Sequence, residues 1–226
     1  MGARIERIST SGTFSLDGGT FDVDNNVWII GDDDEVIVID PAHDAQAVAA
    51  AVGDRKVKAI LLTHGHDDHI RAVFETQEAL GGPPIHLNTD DRVLWDMVFP
   101  DRDPDKVIEP GSEYTVAGVH LSALHTPGHS PGSTCFYVSE SLRIPADVLP
   151  DGAADSSPVL FSGDTLFQGG PGATGRSYSS FDTIVQSISE TLFELPGTTV
   201  VLTGHGDATT IGTEMPHLQE WLDRGH

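Results

Sequence analysis

Basic residues are scarce in this chain: 12 Lys and Arg stand against 35 Asp and Glu, a formal net charge of -23 over 226 residues. A field of that sign repels polyanions, which argues against nucleic acid and anionic membrane surfaces as partners, unless a local basic pocket overrides it. A small-molecule substrate is the expected partner. The acidity also favours solubility and is compatible with a salty habitat. Cysteine is almost missing. Cys135 stands alone, so no intramolecular disulfide can form, and within the strand-like run "STCFYV" it reads as a small buried apolar residue. No apolar run approaches the ~20 residues of a membrane span. The N-terminal "MGARIERIST" lacks the apolar core of a secretory signal, so a cytoplasmic setting is expected. What the chain does have is 38% hydrophobic content and no long linker, enough for one domain over residues 1–226.

Short apolar runs between Gly and Asp clusters fill the first forty residues, and "IERI", "NVWIIG" and "EVIVID" read as strands. Asp44 is placed to cap an Ala-rich helix, "AQAVAAAVG", that ends at Gly53. A continuous apolar strand follows, "VKAILLT". The pattern is helical from Arg71 to Leu80, stopped by "GGPP", and again over "DDRVLWDMV". "YTVAGVHLSALH", "STCFYV" and "PVLFSGD" then read as strands. A helix from about Phe181 to Leu195, the strand "TTVVLTGHGD" and a helix over roughly Glu214 to Asp223 complete the pass. Alternating strands and helices predict an α/β layered fold. Residues 139–158, "SESLRIPADVLPDGAADSSP", read as an exposed loop insertion between two strands.

The stretch "LLTHGHDDHI" collects three imidazoles and two carboxylates between His64 and His69, directly after an apolar run. Folding gains nothing from such crowding unless a counter-charge makes it favourable. Neutral imidazoles with carboxylates are good ligands for a divalent metal, zinc above all. The plain alternative is a solvated polar loop or a loose His-rich tract. Three further strand ends offer the same chemistry: His129 in "ALHTPGHSPG", Asp164 in "VLFSGDTLF" and His205 in "VVLTGHGD". Strand ends are where α/β sheets place ligand sites. Singly, each is explained as a turn aspartate or a hydrogen-bonded loop histidine; four such clusters in one chain make coincidence a poor account.

"THGHDDH" fits an HxHxDH signature, and the chain resembles the metallo-β-lactamase superfamily. "HTPGHSPGS" and "GDTLFQGG…GR" resemble its glyoxalase II-like (hydroxyacylglutathione hydrolase-type) branch. The resemblance implies a four-layer αββα sandwich with a binuclear site at the edge of its two sheets. It places His64, His66 and His129 on a first metal, Asp68, His69 and His205 on a second, and Asp164 between them. Asp40, ending "VIVID", resembles the family aspartate that steadies a ligand imidazole. Two Zn2+ ions are implied, with Fe or Mn as alternatives. The implied chemistry is hydrolysis by water activated on the metals, with Asp68 also orienting the nucleophile. A small thioester of a low-molecular-weight thiol suits such a site, because a thiolate from a thiol of pKa about 8.5 leaves without much help from a general acid.

The sequence departs from the pattern at "IRA", where Arg71 replaces a glycine of the usual pair, and at "GRSY", where Tyr178 stands in place of the usual aspartate. No stretch corresponds to the helical glutathione-binding domain of full-length glyoxalase II, so glutathione specificity is not implied. Arg176, Arg71 and Tyr178 are candidate substrate contacts. The same signature serves a mononuclear iron persulfide dioxygenase-like oxidoreductase, which is the main alternative; a lactonase, a phosphodiesterase and a non-catalytic metal protein are others. A diiron flavoprotein fits less well, since those sites typically carry Glu where this chain has His66. "GHSPG" matches a nucleophile elbow around Ser130, but the following run reads as a strand where a helix is required. "GPGATG", residues 170–175, matches a dinucleotide fingerprint without its βαβ unit and reads as a loop beside the site. His43, His86, His120, His125, His217 and His226 read as structural or solvated.

Overall fold

A computed structural model describes residues 2–140 and 142–225; His226 lies outside them. The first half of the chain builds a six-stranded sheet in sequential order from β1 (Arg4–Leu16), β2 (Gly19–Gly31), β3 (Glu35–Ile39), β4 (Lys56–Leu61), β5 (Ile85–Leu87) and β6 (Lys106–Val107). Strands β1 to β3 pair antiparallel and β3 to β6 parallel. The parallel crossovers carry the helices α1 (Ala45–Val52), α2 (Asp67–Ile70), α3 (Val73–Ala79) and α4 (Arg92–Val98). Asp44 caps α1, its carboxylate accepting from the amides of Gln46 and Ala47 at 3.0 and 2.9 Å, and Gly53 closes it at φ 61.

The second half builds another six-stranded sheet from β7 (Glu113–Val116), β8 (Val119–His125), β9 (Thr134–Val138), β10 (Val159–Gly163), β13 (Val200–Thr203) and β14 (Thr209–Thr210), in the order β14-β13-β10-β9-β8-β7. A small ribbon of β11 (Leu166–Phe167) and β12 (Gly170–Pro171) lies between β10 and the helix α5 (Phe181–Ser187) in sequence. α5 runs on into a π turn over Ile188–Leu192. The last helical stretch is broken at Pro216, giving α6 (Ile211–Glu214), a 3-10 turn and α7 (Leu218–Arg224).

Alternation along the strands explains the layering. In β2, Trp28 and Ile30 join Ile37, Ile39 and Leu61 in a core shared with Leu121, Phe136, Phe161 and Leu202 of the other sheet. Their neighbours Val27 and Ile29 turn the opposite way, packing with Val38 and Ile60 against Val48, Val52, Val73 and Trp95 of the helices. On the far side, Cys135, Leu160 and Val201 meet Ile184, Ile188, Leu192 and Trp221. Both sheets are thus buried on both faces, which is why "EVIVI" and "VVLT" are unbroken apolar runs. The architecture is the expected αββα sandwich. No helix among the described residues is long and apolar enough to cross a membrane.

Two expectations need correction. β1 and β2 are each thirteen residues long, far beyond "IERI" and "NVWIIG". They form one hairpin turning at Asp17 and Gly18, both at positive φ, the Asp-Gly pair that a two-residue hairpin turn favours. The expectation rests on continuous apolar runs, whereas the outer half only alternates, Phe14 and Leu16 in β1 and Phe21 and Val23 in β2 standing singly among Thr, Ser, Gly and Asp. The second correction concerns residues 139–158. They hold no helix or long strand, but they are not simply an exposed insertion. Leu142, Ile144 and Val148 are at most 5% exposed and belong to the core between the sheets. The Ile5 amide donates to the Arg143 carbonyl at 3.1 Å, strapping the segment to β1. Leu142→Ala is therefore expected to cost ~2–5 kcal/mol in denaturant unfolding, as truncation of a buried leucine does. Asp151→Ala, at an exposed position of the same segment, should stay within ~0.5 kcal/mol.

Candidate metal centre

The donors sit where strands end. His64, His66, Asp68 and His69 follow β4, His129 follows β8, Asp164 follows β10 and His205 follows β13. All seven converge on the same edge of the sandwich, and all but Asp164 and His205 are at most 7% exposed. Three groups of three have ligand atoms within 4.8 Å of one another: His64, His66 and His129; Asp68, His69 and His205; and, behind these, Asp40 with His64 and His69. Asp164 spans the first two. Its Oδ1 is 3.4 Å from His69 Nε2, and its Oδ2 is 3.4 Å from His205 Nε2 and 3.7 Å from His129 Nε2.

Hydrogen bonds at the outer ring nitrogens fix which nitrogens face inward bare. Nδ1 of His69 donates to Asp40 Oδ2 at 3.0 Å, that of His129 to the Ala173 carbonyl at 2.9 Å, and that of His205 to the Asp24 carbonyl at 2.7 Å. Those acceptors carry no hydrogen, so each Nε2 is left with its lone pair. Thr63 Oγ1 gives its own proton to Asp40 at 2.6 Å and therefore accepts from His64 Nδ1 at 3.0 Å. His64 Nε2 is then a buried acceptor without a partner, and so is Asp164 Oδ1. His69 Nε2 and His205 Nε2, both bare by this reasoning, face each other at 3.2 Å. Lone pairs at that distance need a cation or a proton between them. The donor set fits a divalent metal on these grounds alone.

Electrostatics point the same way. Burial holds His64 well below its ordinary range and brings His66 down to about 3, so both are neutral and ready to bind metal. Burial would also lower His205, but the Asp164 carboxylate overrides it and pushes the ring up to about 10. His69 is raised as well, burial being outweighed by Asp68 and Asp164. Asp68 would be raised by burial, yet His69 and hydrogen bonds from His205 and Asn25 bring it down to about 2. Both rings are thus biased toward their protonated, cationic form at the point where a cation would sit.

The supporting shell holds both expected and unforeseen residues. Asp40, at φ 49, receives the Thr63 amide at 2.8 Å together with the Thr63 hydroxyl and His69, which holds that imidazole in place. Asp91, fully buried, was not foreseen because it reads as a helix-start carboxylate. It accepts from the Gly65 and Gly132 amides at 2.7 and 2.5 Å and from Ser130 Oγ at 2.7 Å, tying the His64 turn to the His129 turn. Ser130 is thereby committed and buried, and the nucleophile-elbow match falls away. The "GPGATG" loop supplies the Ala173 carbonyl, as a loop beside the site should. A side chain at Gly172 or Gly204 would strike Asp164, which explains both glycines. His125 is no donor here; its Nε2 faces the Pro131 carbonyl at 3.0 Å.

A cavity of ≈180 Å3 opens over the donors. Phe14, Phe21 and Val23 of the β1–β2 hairpin form one wall, and Ala173 and Arg176 another. The hairpin turn is fastened to that second wall, Asp17 accepting from the Ser177 amide and hydroxyl at 2.9 and 2.7 Å. The Arg176 guanidinium lies 4.7 Å from the Phe21 ring centre and 5.4 Å from that of Phe14. Of the three candidate substrate contacts only Arg176 lines this space. Arg71 pairs with Asp67 four residues back on the helix face, and Tyr178, at φ 69, points its half-exposed side chain elsewhere. The hairpin wall and Asn25 were not anticipated; the Asp17-Gly18 turn was the signal that could have revealed them.

The metallo-beta-lactamase superfamily profile matches residues 20–141, which contain five of the seven donors. The Bacillus subtilis protein named "Probable metallo-hydrolase YqgX" is 32% identical over 203 residues, 84% of this chain and 88% of that one. Hydroxyacylglutathione hydrolase GloC of Haemophilus influenzae is 30% identical over 204 residues, 84% of this chain and 89% of that one. Among solved structures, BLEG-1 B3 metallo-beta-lactamase is similar with a TM-score of 0.70 at 29% identity, over 92% of this chain and 97% of that one. TTHA1623, solved in a di-iron-bound form, is similar with a TM-score of 0.64 at 29% identity, over 85% and 93%. Fold, donor clusters and relatives agree: this chain belongs to the metallo-beta-lactamase superfamily.

Proposed function

We propose that the chain is a hydrolase dependent on two divalent cations, zinc in the first instance, that cleaves a small thioester of a low-molecular-weight thiol. The observation that carries this reading is the pair of donor sets joined by Asp164, with bare imidazole nitrogens facing one another across it. His64, His66 and His129 would hold one ion, Asp68, His69 and His205 the other, and Asp164 would bridge. Metals so held lower the pKa of bound water toward ~7 and polarise a carbonyl.

The chain's own residues define the rest. Asp68, kept ionised and fixed in place, is set to orient the attacking water. His129 and His205 each give their Nδ1 proton to a backbone carbonyl, so neither ring offers that proton to a departing amine. A thiolate needs no such donor, which favours thioesters over amides. Phe14, Phe21 and Val23 offer apolar contact, and the Arg176 fork offers a bidentate partner for a carboxylate at the far end of the substrate. At ≈180 Å3 the cavity is smaller than the ~300–1,000 Å3 of drug-sized pockets, so it accepts one end of the thioester and not a bulky carrier. The likeness to hydroxyacylglutathione hydrolase GloC supports this substrate class. A second reading places iron in the same donors and makes the chain an oxidoreductase of the persulfide dioxygenase type; the di-iron form of TTHA1623 supports iron as a metal.

Chelation should abolish hydrolysis across a thioester panel and zinc should restore it. Failure of both untreated and zinc-restored protein on every thioester would sink the reading, and oxygen uptake on a thiol persulfide with iron bound would install the alternative. Asp164→Asn should lower kcat/KM by more than the ~10–100-fold typical of losing an outer-shell partner. Arg176→Gln should raise KM for carboxylate-bearing thioesters roughly 10-fold or more, with kcat and neutral thioesters little changed. Adding zinc to metal-free protein at pH 7–8 should release at least one proton, because the raised His69–His205 pair is protonated there and the cation displaces it, with a further fraction from bound water whose pKa falls toward ~7; a pH-indicator titration reads it.

A further inference from the structure

Asn25 has no place in the donor sets, yet it is completely buried beside them in β2. Its Nδ2 donates to Asp68 Oδ2 at 3.0 Å and stands 3.4 Å from His205 Nε2, while its Oδ1 is 2.9 Å from His43 Nε2. Chemistry settles the orientation of this amide. The Asp68 carboxylate is an acceptor only, so the NH2 group must face it. The amide oxygen then faces His43, which must donate from Nε2. His43 is in turn wedged against β1 at Gly12, where any side chain would overlap its ring. Neighbouring residues of β2 hold the same loop from its backbone side. Asn26 Nδ2 donates to the Thr203 and Gly206 carbonyls at 3.1 and 2.9 Å, and Trp28 Nε1 to the Thr203 carbonyl at 3.1 Å.

We infer that Asn25, locked by His43, is a positioning residue for the second cation: its N–H bond fixes the Asp68 carboxylate beside the His205 ring before metal arrives. The inference rests on the two-metal reading above. Neither Asn25 nor His43 faces the other donor set, His64, His66 and His129, so their effect falls on one ion and not on both. A merely structural asparagine, satisfying a buried carboxylate, would alter the stability of the fold without separating the two binding steps.

The test is stepwise zinc binding to the full chain, measured by competition with a chromophoric chelator and by elemental analysis, alongside the thermal midpoint of the metal-free protein. Wild type should take two zinc ions. Asn25→Leu should weaken the second step ~10–100-fold, the range for loss of an outer-shell partner, and leave the first within about threefold. His43→Leu should shift the second step in the same direction, and His43→Gln, which keeps an N–H at the same reach, should restore it. Gly12→Ala, which touches no donor and displaces the His43 ring, should reproduce His43→Leu. If Asn25→Leu does not fold, the His43 and Gly12 variants decide the matter. Two zinc ions in wild type with both steps unchanged in the variants, or both weakened equally, would overturn the inference alone. A wild-type chain that takes a single ion would overturn the two-metal reading and this inference with it, and would be seen before any variant is made.

Discussion

Two imidazole lone pairs facing each other at 3.2 Å, with a carboxylate against both, are the constraint around which the rest of this molecule is arranged. No folded chain gains by gathering buried acceptors at one point; desolvation and mutual repulsion both oppose it. The gathering persists because most of the donors are anchored from outside. Asp40 holds His69, backbone carbonyls hold His129 and His205, Thr63 holds His64, and Asp91 ties two of the turns together. The two sheets serve as the rigid frame for those anchors. With each imidazole orientation set in advance, a cation meets a site that needs little reorganisation.

That division explains what the sequence discloses. The donors were legible because His and Asp directly after apolar strands are chemically conspicuous, and because their spacing matches a known signature. The α1 cap at Asp44 and its stop at Gly53 were legible because capping is local. The hairpin wall was not, since its outer half offers only Phe14, Leu16, Phe21 and Val23, spaced singly among Thr, Ser, Gly and Asp, and no continuous apolar run. Residues 139–158 misled for the opposite reason. Leu142, Ile144 and Val148 obey no period, so their burial depends on a gap at the sandwich edge that only the assembled sheets create. Asn25 and Asp91 carry ordinary turn and cap residue types, and nothing in one sequence separates a buried amide that braces a carboxylate from one that starts a turn.

The scarcity of cations acquires meaning once the site is in view. Arg4, Arg55, Arg71 and Arg92 are each bound to carboxylates. Arg176 is different. Among the described residues its guanidinium has no hydrogen bond or ion pair, only the two phenylalanine rings beneath it and the field of nearby Asp17. In a chain with a net charge of -23, an arginine kept clear of so many carboxylates and braced on aromatics at the rim of a metal cavity has its hydrogen-bonding edge reserved for something else.

The same charge sets how such a substrate reaches the site. At physiological ionic strength the Debye length is about 8 Å, so the acidic surface acts on an anion only within roughly that range. Inside it, the attraction has to come from groups that are closer and less hydrated than the surface carboxylates. Divalent metal held by the buried cluster and the Arg176 guanidinium would meet that condition, because charges at a low-dielectric wall are screened less than those in open water. The hairpin supplies that wall. Phe14, Phe21 and Val23 bind no metal and move no proton, yet by excluding water they decide how strongly the positive groups are felt. An acidic protein can thus keep a cation-rich cavity without contradiction, provided the cavity is narrow and walled. The Asp17–Ser177 contact at the hairpin turn keeps it so, which makes the outer half of β1 and β2 as much a part of the site as the histidines.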